Sequence, residues 1–235
     1  MSKSFTTVLQ VAATTAALFI AADASAAVKF RIGFDSASNQ YSLYMTPDSV
    51  PAPDMTLSAQ ATLVVPHGEN EQSFTISNIT SHISNVEWAN HSRVDAPEEN
   101  TSADYISLGY FFTGSNVPKF GWEANQEKKI LSFTSSTGCV SGVKLIDNND
   151  PFSQLPNSAG TNPGNDFMNI GWQMSNAYVG NYGEAISCTT TTTCKNSYLQ
   201  RQINTLSALK LNAPDYMQAS YDARIASILN DSRCQ

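Results

Sequence analysis

The chain has 235 residues, 41% apolar and only 14% charged, with a formal net charge of −7. That acidic balance, with no cluster of Lys or Arg, argues against nucleic acid or an anionic membrane surface as a partner, and the low charge fraction excludes a coiled coil. Length and apolar content suffice to bury a real core, so disorder is not the expectation either.

Lys3 in a short polar start, an apolar run from Val8 to Ala22 and the small residues Ala24, Ser25 and Ala26 compose a secretory signal peptide over residues 1–26. The run is too short and too rich in Ala and Thr for a membrane span. A secreted mature chain of about 209 residues, without a membrane span, is therefore expected.

Val28, Phe30, Ile32 and Phe34 alternate with Lys29, Arg31 and Gly33, the period of two of a half-buried strand. Residues 41–45 repeat the pattern, and Pro47, Pro51 and Pro53 then force an irregular crossing. Leu57, Ala59, Ala61, Leu63 and Val65 form the longest clean alternation, stopped at Pro66 and Gly68. Further strands are expected over 72–79, 85–89, 104–112, 129–134 and 139–146. No helical pattern separates them, so the spacing predicts a mainly β fold: an antiparallel β-sandwich of jelly-roll or immunoglobulin-like kind, or a barrel. Residues 147–166 are turn chemistry almost throughout, and 167–174 can return to the sheet. Loops of this length are commonly functional when ordered.

Thr189–Thr193 reads as low-complexity sequence, part of a linker over 189–197. Beyond it Leu199, Ile203, Leu206 and Leu209, then Met217, Tyr221, Ile225 and Ile228, recur at helical spacing. This predicts a helical hairpin over 198–235 after a sandwich over 27–188. Asn212 can cap the second helix, with Pro214 and Asp215 in its first turn. Four cysteines in an exported chain predict two disulfides, with three pairings possible. The favoured one joins Cys139 to Cys188 within the sandwich and Cys194 to Cys234 around the hairpin, because the threonine run looks like a boundary.

His67, His82 and His91 stand among polar or turn residues in no nucleophile or zinc motif. No catalytic residues are assigned, and the chain is read as a non-enzyme. Asp147, Asn149 and Asp150, with Asp166 across the loop, offer hard oxygen ligands suited to calcium; the competing reading is that they cap their own turns. Tyr44 and Tyr105, on the polar phase of their strands, and Trp122 are candidates for stacking on a sugar ring or for contacting a protein partner. Asn78, Asn90, Asn100 and Asn230 stand in Asn-x-Ser/Thr sequons.

The strand run 28–146, with Tyr41-Ser-Leu-Tyr-Met45, segment 58–66 and the late segments 129–134 and 139–146, resembles in layout the cohesin-like and carbohydrate-binding-module β-sandwiches of exported bacterial proteins. Segment 145–152, continued by 156–166 and Gly180-Asn-Tyr-Gly183, also looks like a set of bacterial secreted proteins labelled cadherin-like. The DxNDN and LDRE motifs of true cadherins are missing, so calcium-bridged cadherin contacts are not implied. The resemblance covers about two thirds of the chain. It implies a non-catalytic extracellular module for protein assembly, self-association or surface attachment, with polysaccharide binding as the alternative; a secreted hydrolase ranks third.

Overall fold

In the computed structural model, residues 26–188, 194–211, 213–229 and 231–234 are described. Residues 1–25 of the signal segment, the threonine run 189–193, and Asn212, Asn230 and Gln235 lie outside the described residues. The N-terminal alternation forms β1 (Val28–Asp35), which pairs along its length with β2 (Gln40–Pro47), so that Phe30 faces Met45, Ile32 faces Leu43 and Phe34 faces Tyr41. β2 continues into β7 (Lys128–Ser135), where the Tyr41 and Phe133 rings stack 5.2 Å apart. β4 (Ile76–Ser81) closes one edge of this first sheet, and β10 (Tyr178–Asn181) closes the other. β10 runs parallel to β1, with Val28 opposite Tyr178 and Phe30 opposite Asn181.

The second sheet is built on β3 (Thr56–Pro66), flanked by β6 (Ala103–Phe112) and then β5 (Val86–Asp95) on one side. On its other side β3 pairs in turn with β9 (Asp166–Asn169) and β8 (Lys144–Leu145). The sheets are mainly antiparallel and stack as a sandwich, not a barrel. Phe30, Ile32, Leu43 and Met45 from one meet Ala61, Leu63, Ile106 and Leu108 from the other in one cluster. Each such large side chain contributes roughly 2 kcal/mol by leaving water.

The expected strand over 139–146 shrinks to β8, because a turn at 141–142 and the Cys139–Cys188 bond draw its first half out of the sheet. Conversely β5 runs six residues past its expected end, through a bulge at Asn90/Ser92. A second cluster lies on the outer face of the second sheet, where the 146–165 loop lays Phe152 over Tyr105 and Val64.

The tail forms α1 (Ser197–Leu211) and α2 (Asp215–Leu229). Asn196 Oδ1 caps α1 by accepting from Tyr198 N and Leu199 N. Leu199, Ile203 and Ile225 pack with the Cys194–Cys234 bond in a cluster of the pair's own residues. Leu209 and Met217, expected on the buried stripes, are exposed. Among the described residues no helix is long and apolar enough to cross a membrane.

Candidate functional site

The loop over the second sheet covers only part of its outer face. Beside it opens a cleft of about 600 Å³, within the range of small-ligand sites. Its floor is Gly109 of β6. A Cβ at that position would overlap three atoms of the His91 ring, so the imidazole lies flat against bare backbone. His91 is the residue that the β5 bulge leaves unpaired, and bulges commonly re-aim side chains next to sites. Its ring packs 4.7 Å from that of Phe111, which is 46% exposed.

The opposite wall is polar. Ser58 donates to Asp166 Oδ2 at 2.7 Å, and Gln60 Nε2 donates to the carbonyls of Asn162 and Gly164. The Gln60 amide hydrogens thus fix the loop as a rim. Asn165, buried behind it, accepts from Thr62 N and donates to Ile146 O. Tyr110 donates its hydroxyl to Thr56 O, and burial pushes its phenol up to about 12, so it stays a neutral donor. The result is an aromatic ring pair facing a carboxylate, an amide and loop carbonyls.

Two of the three aromatic candidates are buried. Tyr105 is on the outer phase of β6 as expected, but that face is roofed there by Phe152, and burial pushes its phenol up to about 12. Trp122 lies inside the sandwich against Phe120, Phe167 and Trp172. Neither presents a stacking face. Tyr44 is half-buried on the outer face of the first sheet, and the Arg31 guanidinium sits 4.2 Å over its ring. Arg31 is held there by a two-pronged hydrogen bond to Glu127, which also accepts from Tyr182. The guanidinium lowers the Glu127 carboxyl below its ordinary value.

Of the four residues proposed for calcium, Asp147, Asn149 and Asp150 line one surface pocket, whereas Asp166 lies apart from them. Asp150 accepts from Tyr105 Oη and Phe152 N, capping its own turn. Asp147 accepts from Asn181 and pairs with Lys144, and Asn149 is exposed beside it. Asp166 belongs to the cleft instead. Among the described residues no group of three or more His, Cys, Asp or Glu side chains could hold a metal ion.

The remaining ionic cluster closes one end of the sandwich. Asp104, fully buried, accepts from His67 Nδ1 at 2.6 Å and from Arg93 at 2.8 Å, and Arg93 also reaches Ser73. His82 donates to or accepts from Ser132 Oγ, and burial lowers its affinity for a proton.

Comparison of the chain with protein-family models, with curated proteins and with solved structures found no match.

Proposed function

We propose that this chain is a non-catalytic extracellular binding module, and that the cleft above Gly109 holds a polyhydroxylated ligand of the saccharide class. The observation that carries this reading is the apposition of the exposed His91–Phe111 ring pair to the Ser58–Asp166 and Gln60 wall. Aromatic faces offer apolar area to the C–H groups of a sugar ring, while a carboxylate and amides take its hydroxyls. Asp166 is the one acid among the described lining residues, whereas the usual hydrolysis of a glycosidic bond employs a pair, which supports binding over catalysis. Two disulfides agree with an oxidising compartment outside the cytoplasm.

The test is titration of the mature protein with soluble cello-, xylo- and manno-oligosaccharides, followed by NMR of the His91 ring protons. Saturable shifts at His91 that vanish in Phe111→Ala are expected. A spectrum unmoved by every sugar at millimolar concentration overturns the saccharide reading.

A further inference from the structure

Charge is unevenly distributed along the sequence. Residues 27–188 carry 16 acidic and 7 basic side chains, whereas residues 194–235 carry five basic and three acidic ones. Within the tail two of the basic groups are neutralised locally: Lys210 by Asp222 at 2.6 Å, and Arg233 by Asp231. Arg201 on α1 and Arg224 on α2 have no ion-pair partner among the described residues. Both line a groove of about 430 Å³ between the helices, whose remaining wall includes Leu206, Ile228 and the 61% exposed Tyr198. Two planar guanidinium groups over an apolar floor suit carboxylates, which they bind in a two-pronged fashion.

The matching surface is at the end of the sandwich closed by Asp104. Glu69, Asp95 and Glu98 are exposed there, on the two loops joined by the His67 N to Ser102 O hydrogen bond and on the end of β5. Glu69 stands two residues from His67, and Asp95 is tied to the same cluster through Arg93, which shares Asp104 with His67. The two cations among them are already engaged: Arg93 pairs with Asp104 and Asp95, and His67 is held by Asp104. Glu69 and Glu98 have no ion-pair partner among the described residues, so that end carries an excess of negative charge.

We infer that the Arg201–Arg224 groove of one molecule docks the Glu69–Glu98 end of a second copy, a head-to-tail contact that joins the chain to itself. The two surfaces are different, so the contact is heterologous and repeats into rings or filaments instead of stopping at a two-fold dimer. This assembly uses surfaces other than the saccharide cleft and does not depend on that reading.

The test is light scattering of the mature full chain across a salt series, with two charge-reversed variants, Arg201→Glu/Arg224→Glu and Glu69→Lys/Glu98→Lys. The charge range shrinks from about 30 Å at 0.01 M salt to about 3 Å at 1 M. Association is expected at low salt, lost at high salt and weakened at least about tenfold in either variant alone. Mixing the two variants restores it, because a glutamate groove then meets a lysine end; circular dichroism checks that both are folded. A chain that stays monomeric at low salt, an association that neither variant changes, or folded variants that fail to rescue each other would overturn the inference. A monomer that merely becomes more compact at low salt also overturns it, since the hairpin then docks on its own sandwich.

Discussion

Nδ1 of His67 lies 2.6 Å from Oδ1 of Asp104, a carboxylate without exposed surface whose other oxygen is held by Arg93. One buried negative charge thus ties two cations from β5 and the β3–β4 loop to β6. Removing it leaves Arg93 without its buried counter-charge. Asp104→Asn is expected to cost about 3 kcal/mol of stability, seen as a lower urea midpoint at unchanged slope.

The same pair makes stability depend on pH. The Asp104 hydrogen bond raises the His67 imidazole above its ordinary value, outweighing partial desolvation, so the folded state favours the proton. The stabilisation is complete below the unfolded value of about 6.5 and is lost as pH rises through the higher folded one. NMR titration should show His67 changing charge at a higher pH than His82, with the gap narrowing in Asp104→Asn because the burial that lowers His82 is unchanged. His67→Gln should flatten the stability profile over the neutral range.

Gly109 is where the proposed ligand site is most easily tested. In Gly109→Ala the added methyl must displace the His91 ring, and because that ring is exposed the fold survives. We expect unchanged thermal stability with saccharide affinity reduced about tenfold, the equivalent of about 1.4 kcal/mol from a lost ring face. Calorimetric titration beside His91→Ala, which should weaken binding to a similar degree, checks this.

The disulfides should fail separately. Cys139–Cys188 spans 49 residues containing β8, β9 and β10, and its loss is expected to cost about 4 kcal/mol by the loop-entropy model. Cys194–Cys234 instead clips two 15-residue helices, a length marginal without tertiary support. Cys194→Ser/Cys234→Ser should lower the helical dichroism signal while the near-ultraviolet signal of the buried tryptophans persists.

The strands that were legible in the sequence are those whose alternation reports one buried face, such as β1 and β3. β10 was not, because four residues pairing in parallel with a strand far away in sequence leave no local pattern. Tyr105 differs for a related reason: its phase on β6 is the outer one, but the roof over it comes from Phe152, 47 positions later. The cleft was hidden in the same manner. His91 reads as a polar strand residue until the bulge turns it onto Gly109, and Asp166 reads as a turn residue until β9 brings it to Ser58. Strand phase, which singles out Tyr44 and Tyr105, is insufficient when a long loop covers a sheet.

β10 lies beside β1, so the first strand made is completed by the last strand of the sandwich, roughly 150 residues later. A ribosome needs on the order of 10 s to cover that distance. For that interval the nascent chain carries Val28–Phe30 with one bare edge, open to a neighbouring polypeptide. Arrival of Tyr178–Asn181 covers that edge, so the start of the sandwich is sealed only by its end.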